Sequence, residues 1–175
     1  LKEIGRSVFN RCSGLRGDLY IPDSITAIDN SAFSACSGFN GRLHLPNRLK
    51  EIGSYAFYGC SGLRGEVKIP NNVTSIGEVA FQDCINLEGI KFYGETMWID
   101  SGVFKNIPQL TVYYPANDYT WNAFMSRDDL GSDITWKRWF PDENKTTVSI
   151  AGKEEHYLSA SDRYETGSGK TETIA

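Results

Sequence analysis

A chain of 175 residues holds one ordinary domain with a small appendage, and 40% apolar residues, besides 17 glycines, suffice for a sizeable core. Eighteen basic against 22 acidic residues leave a formal charge of −4 and a pI near 5.2. That excludes a dedicated nucleic-acid binder, which carries a basic surplus that displaces counterions. No apolar run is long enough to insert in a membrane, and no basic stretch followed by an apolar one opens the chain as a secretory leader would. The chain begins at Leu1, inside a repeat, and reads as a piece of something longer.

From Leu1 onward the pattern is one unit repeated. Ile4, Ile28, Ile52 and Ile76 recur every 24 residues, as do Phe9, Phe33, Phe57 and Phe81, and Cys12, Cys36, Cys60 and Cys84. Leu15, Phe39, Leu63 and Leu87 keep the step, and Pro22, Pro46 and Pro70 join it. A fifth copy follows a deletion, with Ile99, Phe104, Ile107 and Leu110 in the same slots. This period and density of aliphatic slots specify a leucine-rich-repeat solenoid: a right-handed α/β-type horseshoe, mainly β with short helical turns, with parallel strands on one face and a C-terminal cap. No coil buries its apolar slots alone; stacking places equivalent residues about 4.8 Å apart in continuous ladders. Period-two alternation predicts strands at 19–22, 43–46, 67–70, 90–92 and 112–115. The G-x-x-A-F-x-x-C stretch, too short for a full helix, is expected to form a helical turn, and Asp23, Asn47, Asn71 and Asn72 suit turns after the prolines.

The repeats occupy residues 1–115 in about five units. Residues 116–140 read as the cap, with Asn117 or Asp118 starting a short helix through Tyr119, Trp121, Phe124 and Met125, and with Trp136, Trp139 and Phe140 adding apolar cover. Nothing caps Leu1. Residues 141–175 turn polar, a tail with one or two short strands at 147–150 and 156–158.

The unit I-G-x-x-A-F-x-x-C-x-x-L…I-P resembles the BspA-like bacterial surface leucine-rich-repeat proteins, related to treponemal surface repeats, over residues 1–115. The segment from Pro115 to Trp136 is similar to that family's closing segment. The resemblance implies an extracellular protein on the cell surface of a host-associated bacterium, used in adhesion or host-molecule binding.

Other motifs carry less. The four cysteines point in parallel into the core, which suits a ladder of free thiols better than disulfide geometry. No C-x-x-C pair exists and only His44 and His156 are available, so no metal is expected. Arg16-Gly17-Asp18 spells an integrin-type tripeptide, yet Leu63-Arg64-Gly65-Glu66 shows that Leu-Arg-Gly belongs to the repeat. Gly167-Ser168-Gly169-Lys170-Thr171 lacks the first glycine of a phosphate loop and any following helix. Asn72 and Asn144 head glycosylation sequons, and the acidic pairs Asp128-Asp129, Asp142-Glu143 and Glu154-Glu155 lack the spacing of a calcium loop or glycosidase. No nucleophile has a base in a recognisable motif, so neither an enzyme nor a cofactor is expected.

What remains is the outward side of the strands. With Leu19 and Ile21 inward, Tyr20, His44, Lys68, Lys91 and Tyr113 form one outward row, and Asp18, Arg42, Glu66, Gly89 and Thr111 a second. Aromatic and cationic groups on a rigid sheet suit a host or cell-surface protein partner. Two alternatives stand beside it: a carbohydrate-binding surface with Trp98 and Trp121 as stacking platforms, and a ligand-free spacer within a larger surface protein.

Overall fold

The structure, a computed structural model, describes residues 1–95 and 97–140, and beyond them only the backbone of strands Thr147–Ile150 and Lys153–His156. The chain winds into stacked coils, each contributing to two parallel sheets. Numbered in chain order, the short strands β1 (Glu3–Ile4), β3 (Ala27–Ile28), β5 (Glu51–Ile52), β7 (Ser75–Ile76) and β9 (Trp98–Ile99) form a five-stranded sheet. On the other side β2 (Leu19–Tyr20) pairs with β4 (Leu43–His44). Beside β4 begins a four-stranded sheet of β6 (Gly65–Ile69), β8 (Leu87–Phe92), β10 (Thr111–Pro115) and β11 (Thr135–Trp139). β2, β4, β6, β8 and β10 overlap the predicted strands, β11 falls in the stretch assigned to the cap, and the five-stranded sheet of two-residue strands was not expected. Two residues are too few to show alternation, so only their place in the repeat marks them.

The core is the set of repeat columns turned inward. Ile28, Ile52, Ile76 and Ile99 are buried in one ladder, and Leu63, Val67, Ile69, Ile90 and Val112 line the other side. Phenylalanine rings stack along the axis. Phe9–Phe33, Phe33–Phe57 and Phe57–Phe81 have centroids 5.0, 5.6 and 5.2 Å apart and interplanar angles of 10°, 2° and 13°. All four cysteines are free, as expected. The thiols of Cys36, Cys60 and Cys84 donate to the carbonyls of Phe9, Phe33 and Phe57 at 2.9, 3.1 and 3.1 Å, linking each coil to the one before. Gly62 sits where a Cβ would come within 1.7 Å of the Phe39 carbonyl oxygen, so this turn admits no side chain.

The A-F-x-x-C segment is not the expected helical turn. Ser31, Phe33 and Ala35 donate their N–H groups to Ser54, Ala56 and Tyr58 of the next coil at 2.8, 2.8 and 2.6 Å. The alternating Ala32, Ser34 and Cys36 close local turns onto Asp29, Ser31 and Phe33. A helix would keep every N–H within its own chain segment; here half of them tie coils together. The geometry requires two left-handed residues per coil. Ser7, Ser31, Tyr55, Val79 and Gly102 hold one position, and Arg11, Ala35, Gly59, Asp83 and Asn106 the other. Val79, at φ 49°, carries a β-branched side chain in that region, a local cost of about 1–2 kcal/mol.

Residues 116–140 add a further coil. Strand β11 pairs in parallel with β10, Thr111 opposite Thr135 and Tyr113 opposite Lys137, which restores the 24-residue step. The helix α1 (Trp121–Met125) starts later than Asn117 or Asp118 would place it. Thr120 occupies the N-cap, and the Asp118 carboxylate accepts from the Thr120 N–H at 2.9 Å and from its hydroxyl. Trp121 is fully buried against Phe92, with centroids 4.6 Å apart, and closes this end of the core. In the tail, β12 (Thr147–Ile150) lies where a strand was expected and pairs antiparallel with β13 (Lys153–His156). β13 shares only His156 with the expected 156–158 strand; Tyr157 and Leu158, the 167–171 motif, Asp142-Glu143 and the Asn144 sequon lie outside the described residues.

Candidate binding face

Inward alternation along the strands leaves one residue per coil pointing out, and parallel pairing aligns those residues into a row. Tyr20 stands opposite His44, Lys68 opposite Lys91, Lys91 opposite Tyr113, and Tyr113 opposite Lys137. Lys137 extends the expected row by one coil; carrying the 24-residue step past Tyr113 would have found it. In the second row Glu66, Gly89, Thr111 and Thr135 are in register, across an irregularity between Gly65 and Glu66. Tyr20 is 67% exposed, Arg42 and Lys68 are exposed, and His44, Glu66, Lys91 and Tyr113 are half-buried.

At the N-terminal end the row is an organised cluster. The Tyr20 and His44 rings stack with centroids 4.2 Å apart and nearly parallel planes. Asp18 ties them together: its Oδ1 accepts from the Arg42 N–H at 2.8 Å, and its Oδ2 accepts from the Tyr20 hydroxyl at 3.1 Å and lies 3.3 Å from His44 Nε2. The Arg42 N–H first, then the Tyr20 hydroxyl and His44, hold the Asp18 carboxyl below its ordinary range against a partial desolvation. The same carboxylate pushes the Tyr20 hydroxyl up. Both charged ends of Arg16-Gly17-Asp18 are therefore engaged, Asp18 with the next coil and Arg16 within its own, where its Nη1 donates to the Ser13 and Leu15 carbonyls at 2.6 and 3.0 Å. A tripeptide so held does not offer an open guanidinium and carboxylate to a receptor cleft.

At the other end the column that holds Pro22, Pro46 and Pro70 continues with Tyr93, Pro115 and Trp139. Pro115, between the two aromatic residues, is small enough for their rings to meet edge-to-face above it at 4.7 Å. Trp139 Nε1 donates to the Phe92 carbonyl at 2.8 Å, and the Lys91 ammonium lies 4.0 Å from the Trp139 ring centroid and 5.6 Å from that of Tyr93. Lys91 thus has an internal aromatic partner, whereas Lys68 projects freely among the described residues. The legible signal for this box was the replacement of a template proline by an aromatic residue.

The two tryptophans named as sugar platforms separate. Trp121 is 0% exposed and closes the core, so it offers no face to a ligand. Trp98 is 72% exposed, on the short-strand sheet and away from the row of Tyr20. No grouping of three or more histidine, cysteine or acidic side chains able to hold a metal ion occurs among the described residues.

A family model for the BspA type leucine rich repeat region matches residues 2–128 in six copies. No curated protein and no solved structure matches the chain.

Proposed function

Because the chain belongs to the BspA-type leucine-rich-repeat family, we propose that it is a non-enzymatic, extracellular protein-binding module of a bacterial cell surface. It engages a host or cell-surface protein through the outward row of the sheet carrying Tyr20. The family suggests surface protein interaction in general, and no helix among the described residues is long and apolar enough to cross a membrane. The observation that supports this particular face is that Tyr20 stands in register with His44, and Lys68, Lys91, Tyr113 and Lys137 stand in register on the adjoining sheet. Tyr20, held by its stacking on His44 and its bond to Asp18, loses little conformational freedom on binding and is of a residue type enriched at interface hot spots, and the lysines add charge that steers a partner.

The test is a panel of immobilised matrix and cell-surface proteins, probed with the wild-type chain and with a Tyr20→Ala, Lys68→Ala, Tyr113→Ala triple variant. A bound partner whose affinity falls by about tenfold or more in the variant, with an unchanged circular dichroism spectrum, is the expected result. Undiminished binding in the variant removes this face, and silence across the panel favours the ligand-free spacer.

A further inference from the structure

Trp98 is the one tryptophan left largely in solvent among the described residues; Trp121 and Trp139 are buried and Trp136 is half-buried. No described ring stacks on Trp98 and no described group accepts from its Nε1. It stands at the edge of the short-strand sheet, where its neighbours in register are Ser75, Glu51, Ala27 and, at the far edge, Glu3. A groove of about 240 Å³ runs along this line from Trp98 to Glu3. On its other side the indole borders a cleft of about 600 Å³, shared with Asn71, Thr74, Tyr93 and Glu95.

We infer that Trp98 and these two grooves form a site for a neutral, linear glycan, separate from the row of Tyr20 and carried by the other sheet. A pyranose ring needs a flat apolar surface for its C–H face and in-plane partners for its hydroxyls. The exposed indole supplies the first, and Ser75, Glu51, Thr74 and Glu95 supply the second, carboxylates being strong acceptors. Tyr93 makes a fixed second wall, since its ring is braced edge-to-face by Trp139. Small residues Ala27, Gly53 and Gly77 line the first groove beside the polar side chains of Asn30, Glu51, Ser54 and Ser75. Both grooves are open and lined by polar as much as apolar groups, so neither encloses an apolar pocket for a peptide side chain, which favours a sugar over a peptide. Charge narrows the class further. Among the described residues neither groove is lined by lysine or arginine, while Glu3, Asp29, Glu51 and Glu95 line them, so this lining repels an anionic glycan. The outward positions recur at the coil spacing of about 4.8 Å, so a polymer of identical units meets backbone of the same form at each step.

The experiment is calorimetric and fluorescence titration of the purified chain with cellohexaose, chitohexaose and laminarihexaose, beside a heparin hexasaccharide and a lysine-rich peptide. Binding of at least one neutral hexasaccharide is expected, with a shift in tryptophan emission and weaker binding of its trisaccharide. Trp98→Ala should weaken that binding by about tenfold or more, and Trp98→Tyr should retain most of it. An unchanged circular dichroism spectrum is expected, because the side chain is exposed. The Tyr20, Lys68, Tyr113 variant should bind the sugar as the wild type does, so the two faces succeed or fail independently. No neutral glycan bound, preference for the heparin fragment or the peptide, or unchanged affinity in Trp98→Ala would each overturn the assignment.

Discussion

At the scale of single residues, position in the stack sets the chemistry of each cysteine. Burial, and secondarily the neighbouring Cys36, push the Cys60 thiol up to about 12 from its ordinary 9.0, and burial, with Cys60 beside it, likewise pushes Cys84 well above that ordinary value. A raised value in the fold means that the neutral thiol contributes fully below about pH 9 and that this contribution is lost as pH rises through about 12. Asp18 runs the other way. Its contribution is present above the ordinary 3.8 and is lost as pH falls through its lowered folded value. Near neutral pH, a chromogenic disulfide reagent should titrate the half-exposed Cys12 first. Cys36, Cys60 and Cys84 should respond only after guanidinium is added. Four equally fast thiols would contradict the buried ladder. The burial of these cysteines was legible from the repeat, because they share a register with the phenylalanines; their hydrogen bonds to the preceding coil were not.

Among elements, the phenylalanine ladder carries energy in proportion to its neighbours. Phe57 is fully buried with a ring stacked on each side, whereas Phe9 is 37% exposed and stacks only on Phe33. Phe57→Ala should cost about 3–5 kcal/mol and Phe9→Ala roughly 1 kcal/mol in urea unfolding. Equal losses would mean that the rings do not act as a stack. The strands with alternating residues were readable one by one. The A-F-x-x-C turns were misread as helical because composition says nothing about where an N–H goes. Ser31, Phe33 and Ala35 could have bonded locally, and stacking sends them to the next coil instead.

For the whole molecule, contact mainly between adjacent coils makes stability close to a sum of coil and interface contributions, with Trp139 reaching across one coil to Phe92 and Tyr93 as an exception. The N-terminal coil leaves Val8, Phe9 and Leu15 at 58%, 37% and 38% exposure, while Trp121 closes the opposite end of the core. Amide hydrogen exchange should therefore be slowest at Phe57 and Phe81, whose N–H groups bond to Ala80 and Val103, and fastest at Phe9. Uniform protection across the coils would argue for all-or-none opening. The acidic excess of the chain is also uneven: among the described residues the charged groups lining the grooves around Trp98 are all carboxylates, and the opposite row carries Lys68 and Lys137.

The sequence by itself determined the repeat, the parallel strands, the inward columns and the row of Tyr20, because each follows from a period and a parity that every copy restates. The tertiary structure alone decided which tryptophan faces solvent, that Lys91 lies on Trp139, that Asp18 is tied to Tyr20, His44 and Arg42, and that a second sheet exists. Those facts depend on distances between coils. Trp98 and Trp121 are 23 residues apart, about one repeat step, yet one stands at a sheet edge and the other closes the core. The step says which coil a residue joins, and only the packing of that coil against its neighbours says which way the ring turns.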